Sequence, residues 1–318
     1  MRLIVAAVLA LASSLGAAQS YPTKPVRVVI PYPPGSTPDI VGRTVSDRLQ
    51  KAFGQPFVVE NRTGAAGNIG TEAVAKAAPD GYSLLVAING PVAVNKHLYK
   101  NLPFDPEKDL QPISLLASAP QMLVATPAVP AESFKAFIEH AKRNPGKLSY
   151  GSVGGGSASH LTMELLKSTA GVFIVHIPYR GFPPAVTDML AGNIDAMFAI
   201  IPAVLPQVRA GKMKALAVTA LKRNALAPDV PSVAELGYPQ LESLAWIGLL
   251  APAGTPKEII GRLSAETIKG MQTAETREML GKQGFDVVAN SPEEFARWIR
   301  LESDKWSKVI RASGATPD

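Results

Sequence analysis

The stretch V-R-V-V-I-P-Y-P-P-G-S-T-P-D-I-V-G-R, Val26–Arg43, decides how the rest of the chain is read. Val26, Val28, Val29 and Ile30 form a short β-branched run, the pattern of a buried strand. Pro31, Pro33 and Pro34 stop it, because proline has no N–H to give to a sheet ladder. Gly35 permits backbone angles that other residues resist. Ser36, Thr37 and Asp39 are candidate helix caps, and Ile40, Val41, Val45, Leu49 and Phe53 then recur at helical spacing. A strand end, a small-residue loop and a helix N-terminus therefore meet at one place. In open α/β sheets ligands bind at that edge, and the unpaired N–H groups there favour an anion. The same pattern also describes an ordinary βα turn, since fold alone does not fix function.

Working outward, the β/α alternation continues. Phe57–Glu60 and Ser83–Ile88 read as strands, separated by the glycine-rich turn Asn61–Gly70 and an alanine-rich helix. Asn89, Gly90 and Pro91 make a loop at the same sheet edge as Pro34–Asp39. Ile113–Ala117 and Met122–Ala125 read as two strands bent at Ser118–Gln121, where an Ala-Pro break suits a chain crossing between lobes. Phe134, Phe137, Ile138 and Ala141 form a helical stripe ended by Asn144-Pro145-Gly146. Further strands are expected at Leu148–Tyr150, Phe173–Ile177, Ile194–Ile200 and Ala215–Thr219, with Trp246–Leu250 carrying the chain back. Thr255-Pro256-Lys257-Glu258 and Ser291-Pro292-Glu293-Glu294 both read as capping boxes with proline at the first helical position. The last helix carries the stripe Phe295, Trp298, Ile299, Trp306, Val309, Ile310, and the C-terminal helices are expected to return to the first lobe.

Composition narrows the function classes. The 318 residues are enough for two lobes, and the 47% apolar fraction suits a globular α/β protein. The chain has no cysteine, which excludes disulfides, a thiol nucleophile and iron–sulfur clusters. The formal charge is +6, but Lys and Arg are scattered among Asp and Glu, whereas nucleic-acid binding wants a clustered basic stripe. Residues 1–20 read as a cleaved signal peptide: Arg2, the apolar stretch Leu3–Leu11, then small residues Ala17, Ala18 and Ser20. The expected product is an exported protein.

The second glycine loop, G-S-V-G-G-G-S-A-S-H at Gly151–His160, also follows a strand and opens a helix. Gly156 lets backbone approach a ligand, and Ser157 and Ser159 offer a helix cap or hydrogen bonds to a carboxylate. The loop lacks the Gly-Lys-Ser/Thr ending of a phosphate loop and the last glycine of a dinucleotide fingerprint. Gly155-Gly156-Ser157-Ala158-Ser159 also misses the final glycine of a hydrolase elbow. His160 reads as a packed imidazole at a helix start, with a triad role as the weaker alternative. No metal-ligand spacing occurs. Tyr179 and Arg180 follow a strand and precede Pro183-Pro184, and Trp246 lies at the return crossover, in the cleft or in the core.

The quoted stretches carry a resemblance. P-Y-P-P-G-S-T-P-D-I-V-G-R at Pro31–Arg43 resembles the substrate-binding proteins of tripartite tricarboxylate transporters, the Bug family of periplasmic solute receptors. So does V-E-N-R-T-G-A-A-G-N-I-G-T-E-A-V-A-K-A-A-P-D-G-Y at Val59–Tyr82. The likeness continues through V-H-I-P-Y-R-G at Val175–Gly181, P-D-V-P-S-V-A-E-L-G at Pro228–Gly237 and W-I-G-L-L-A-P-A-G-T-P at Trp246–Pro256. It implies an α/β, type II periplasmic-binding-protein fold: two β/α lobes joined by crossover strands, with a ligand cleft between them. Lobe 1 is expected over 21–117 plus 248–318 and lobe 2 over 118–247. The implied role is to bind a small organic carboxylate and deliver it to membrane subunits of a tripartite tricarboxylate transporter, or to a sensor protein. The protein is expected in the periplasm as a monomer, with no cofactor, no metal and no catalytic residue. The alternative is an enzyme on the same two-lobed fold, a transferase or esterase acting on a small anion. The expected ligand contacts are Pro34, Gly35, Ser36, Thr37, Asp39, Asn89, Gly156, Ser157, Ser159, His160, Tyr179, Ala199 and Trp246. Three departures from the family pattern bear on cargo: Ser36 stands for a second glycine, Phe182 for a smaller residue, and Ala199 for an acidic one. Ala199 is expected to border the ligand at the end of Ile194–Ile200, the alternative being a place in the lobe core.

Overall fold

The β-branched run at the start forms β1 (Val26–Ile30), which pairs in parallel with β2 (Phe57–Asn61) and β3 (Ser83–Ile88). These coordinates are a computed structural model and describe residues 21–317; the expected leader lies outside the described residues. Helix α1 (Thr37–Phe53) follows β1, and α2 (Asn68–Ala75) follows β2. Val26, Val28, Val29 and Ile30 are all fully buried, so both faces of β1 are covered, as a parallel strand requires. Each such side chain contributes about 1.5–3 kcal/mol of burial.

The expected bend at Ser118–Gln121 is not a break. Leu110–Ala125 is one continuous 16-residue strand, β4, that serves two halves of the sheet. Its first part, Leu110–Pro120, pairs antiparallel with β9 (Leu244–Pro252), and its last part, Gln121–Ala125, pairs with β7 (Ala196–Ile200). Two register shifts against β9, after Pro112 and after Leu115, absorb the irregularity that the prolines impose. The strand order is β2-β1-β3-β9-β4-β7-β5-β6, with β8 (Lys214–Val218) and β10 (Asp286–Val287) each pairing β4. In the second half, β5 (Ser149–Ser152) and β6 (Val175–Pro178) run parallel. The helices there are α3 (Phe134–Arg143), α4 (Ala158–Ala170), α5 (Phe182–Leu190) and α6 (Ile201–Arg209). The stripe Phe134, Phe137, Ile138, Ala141 is buried as its spacing predicts.

The chain closes with α7 (Lys257–Met271), α8 (Ala274–Lys282) and α9 (Pro292–Ser313). Ser291 and Glu294 form the expected capping box of α9. The other expected box fails: the N-cap of α7 is Pro256, and the Thr255 hydroxyl instead donates to the Pro252 carbonyl at 2.7 Å. Helix α9 does not simply return to the first half. It packs on the segment 90–94, on β4 and on α4, so it straps both halves of the sheet. This is the two-lobed α/β architecture that the resemblance implied, with β4 and β9 as its shared strands.

Candidate functional site

Five strands deliver their C-terminal ends to one cavity of about 560 Å³. Residues Tyr32–Pro38 follow β1, Asn89 ends β3, and Val153 with Ser157–Ser159 follows β5. Arg180–Pro184 follows β6, and Ile200 ends β7. The size falls in the usual range for a small-molecule site. The first turns of α1, α4, α5 and α6 all line it, through Thr37, Ala158, Phe182 and Pro202. Each helix N-terminus carries roughly half a positive charge and unpaired N–H groups. No acidic side chain lines the cavity among the described residues, and the cationic one is Arg180. The rest of the wall is largely apolar, with Ile40, Ile88, Phe182, Ile200 and Phe285.

The two glycine loops have the same geometry. Gly35 has φ +77° and Gly156 φ +75°, the left-handed region that favours glycine. The next residues, Ser36 and Ser157, are helix N-caps at φ −69° and ψ 160°. Each serine hydroxyl donates 2.6 Å to the carbonyl three residues back, of Pro33 and of Gly154. Ser157 also accepts from the His160 N–H, while Ser36 makes no side-chain cap bond. Behind each loop a buried acceptor holds the glycine N–H. Asp39 Oδ2 accepts from Gly35 at 2.9 Å, and His160 Nδ1 accepts from Gly156 at 3.1 Å.

Electrostatics follow from those contacts. Burial pushes the Asp39 carboxyl up, but hydrogen bonds from Arg43, Asn61 and the Gly35 N–H outweigh it and hold the group below its usual range. Burial, then the neighbouring His176 and Lys167, pushes His160 down to about 3, so its imidazole is neutral. Its ring stacks on His176 with centroids 4.3 Å apart.

Of the contacts expected from sequence, Pro34, Gly35, Ser36, Thr37, Asn89, Ser157 and Ser159 line the cavity. Trp246 borders it too, but its indole is fully buried and its Nε1–H donates to Glu302 on α9 at 2.9 Å. Asp39, Gly156 and His160 stand behind the lining, and Gly156 packs against Asn95 and Leu98. Tyr179 stands aside: its hydroxyl donates to Asp188, and burial together with that carboxylate pushes it up to about 12. Ala199 is a correction. It is fully buried in the lobe core rather than at the cleft, with 0% accessibility among Met122, Val124 and Met197. Strand alternation decides this, since Ile200, one residue on, is the one that reaches the cavity.

Several lining residues were not among the expected contacts. Gln121 is a polar residue inside a strand of otherwise mostly apolar pattern, which is a signal that sequence offers. Gln283 and Phe285 arrive from the turn after α8, and no local motif announces them.

Residues 41–315 match the tripartite tricarboxylate transporter family receptor. The chain belongs to this family. It is 38% identical over 299 residues to Protein BugT of Bordetella pertussis, covering 94% of this chain and 92% of that protein. Among solved structures it is similar to the periplasmic binding protein BugD, with 34% identity and a TM-score of 0.82 over 94% of this chain and 100% of the other. It is likewise similar to an R. palustris protein solved with adipate, at 34% identity and a TM-score of 0.85 over the same shares. The chain is thus a solute-binding receptor of the Bug type on the two-lobed periplasmic-binding-protein fold.

Proposed function

We propose that this receptor binds a small organic carboxylate between its lobes in the periplasm and hands it unchanged to membrane subunits of a tripartite tricarboxylate transporter. One observation carries the reading: two matching glycine–serine turns, Gly35-Ser36 and Gly156-Ser157, open two helix N-termini onto one cavity that, among the described residues, no acidic side chain lines. Such a cradle favours an anion without a metal or a lone buried cation. The carboxylate contacts are Pro34, Gly35, Ser36, Thr37, Ser157 and Ser159, with Arg180 at the rim, while Asn89 lines the cavity facing the body of the cargo. Asp39 and His160 act behind them as positioning residues. The apolar wall from Ile40, Ile88, Phe182, Ile200 and Phe285 favours a cargo whose body is apolar.

The lobes divide as 21–117 plus 248–318 and 118–247, and a cargo touching both favours the closed arrangement. The solved R. palustris relative with adipate supports a carboxylate cargo. Against the enzyme reading, His160 has its Nδ1 occupied by the Gly156 N–H and is too buried to carry a proton at neutral pH, and the other histidine at the loop, His176, bonds to Ser152 at 2.6 Å in a pair that does not line the cavity. Calorimetry with adipate, benzoate and glutamate, followed by mass analysis of each after long incubation, tests the proposal. Saturable binding with the acid recovered unchanged is expected. Catalytic conversion would favour the enzyme, and no binding of any acid would refute the receptor reading.

A further inference from the structure

Two amides in the cavity lining are left with unpaired atoms, and the carboxylate cradle does not use them. Asn89, at the end of β3, is 1% exposed, and neither its Oδ1 nor its Nδ2 meets a partner in the protein. Gln121, at the point where β4 passes from one half of the sheet to the other, is also 1% exposed. Its Nε2 donates to Thr162 Oγ1 at 2.8 Å and to the Ala158 carbonyl at 3.4 Å. A carbonyl only accepts, so these bonds fix which end of the amide is which. The other end, Oε1, is therefore an acceptor, and it has no partner in the protein.

The two amides flank the same loop. Gly90, next to Asn89, lies against the Gly156 carbonyl, and a Cβ there would sit 3.4 Å from it. Gln121 bonds to the Ala158 carbonyl two residues further along. Both residues line the cavity that receives the carboxylate. A buried unpaired amide costs free energy unless something completes it. Gln121 Oε1 needs a donor, and Asn89 offers both a donor group, its Nδ2, and an acceptor, its Oδ1. A hydroxyl group matches this set, because it donates once and accepts as well. A second carboxylate does not, since it has no proton to give to Oε1.

We infer that Asn89 and Gln121 form a specificity subsite for a hydroxyl on the body of the cargo, so the preferred ligand is a hydroxycarboxylate. The inference rests on the carboxylate-receptor reading above. Selectivity of this kind is asymmetric: a site built to pair a hydroxyl rejects the analogue that lacks it, because its own polar groups then stay unpaired.

The test is calorimetry on matched probes: benzoate against 3- and 4-hydroxybenzoate, butyrate against 3-hydroxybutyrate, and succinate against malate. In at least one pair the hydroxylated acid should bind about tenfold or more tightly. Asn89→Leu should erase that ratio by weakening the hydroxylated acid far more than the plain one. The same variant should melt at the same temperature as the parent or higher without ligand, because it removes buried polar atoms that have no partner. A merely structural asparagine would do the reverse. Gln121→Met serves as the second variant and should also collapse the ratio. Equal affinity within every pair, or a ratio that survives Asn89→Leu, overturns the inference while leaving the receptor reading intact. If no acid in the panel binds, the receptor reading itself falls.

Discussion

Asp39 and His160 occupy the same station in the two cavity loops, four residues beyond a left-handed glycine whose N–H each accepts. One is an anion held by Arg43 and Asn61, the other a neutral imidazole stacked on His176. Their shared geometry explains why neither touches the cavity. Each fixes the turn that presents its neighbouring serine and the helix N–H groups beyond it.

Removing either acceptor should loosen one half of the cradle. Asp39→Ala and His160→Leu each leave a glycine N–H without its partner, at a cost of about 1–3 kcal/mol of stability. Carboxylate affinity should fall by about tenfold in each, since pre-organisation of the turn is lost. Denaturant melts and calorimetry on the same samples check both effects. Unchanged affinity in a folded variant would show that the turn holds itself.

The neutral imidazole gives a pH signature. His160 in the folded protein stays unprotonated down to about 3, whereas the unfolded chain takes up the proton near 6.5. Between these values the unfolded state binds more protons, so stability falls as the pH drops through that window. The cost is absent above 6.5. Asp39 shifts the balance in the same direction, but only as the pH falls below the ordinary carboxylate value of 3.8. His160→Asn keeps an acceptor near the Gly156 N–H and removes the titration. Thermal melts from about pH 7 to about pH 4 should therefore slope less steeply in the variant than in the parent. Equal slopes would assign the acid sensitivity elsewhere.

Arg180 is exposed at the cavity rim, so its charge is partly screened. Arg180→Gln should lower carboxylate affinity by about fivefold, the scale of an exposed ion pair near 1 kcal/mol. The loss should shrink as salt is raised, because screening already removes what the mutation removes. Titrations at low and high ionic strength would reveal this; a salt-independent loss would mean a packing role instead.

Much of this fold is legible in Val26–Arg43 and in the matching run Gly151–His160. Proline ends the first strand, glycine supplies the positive φ in both loops, and a serine stands at each helix N-cap, so local chemistry alone places both loops at the sheet edge. What local chemistry does not set is which side of a strand faces the cleft. Ala199 and Ile200 differ by one position, and a period of two makes that the difference between core and cavity. Nor does local pattern show long-range arrivals. Phe285 reaches the cavity from the far end of the chain, and α9 straps both halves of the sheet through contacts that no window of sequence contains.

Ala199 supplies a direct check of that register. It pairs with Met122 across β4 and β7, and its side chain lies among buried methionines and valines. Ala199→Asp would place a carboxylate there without a partner, which costs several kcal/mol or forces the group to stay protonated. The expected result is a large fall in melting temperature, with the order of preference among cargo acids unchanged in whatever fraction folds. A stable variant with altered selectivity would put residue 199 back at the cleft.

Glu302 ties the cavity to the C-terminal strap. Its Oε2 accepts both indole N–H groups, from Trp246 on β9 and from Trp306 on α9 itself, each at 2.9 Å. The carboxylate is 6% exposed and both indoles are fully buried, so water cannot replace the lost bonds. Glu302→Leu would fill much of the volume but strand two buried donors. At about 1–3 kcal/mol for each, the loss should reach about 2–6 kcal/mol. Glu302→Gln keeps a carbonyl oxygen in place and should lose less, since only the charge assistance disappears. Trp246 also borders the cavity, so loosening its indole should weaken carboxylate binding in the leucine variant more than in the glutamine one. The chain has three tryptophans, and two of them belong to this contact, so intrinsic fluorescence during a urea titration reports on it directly. If the leucine variant matches the parent in both midpoint and affinity, the double indole contact contributes nothing to either.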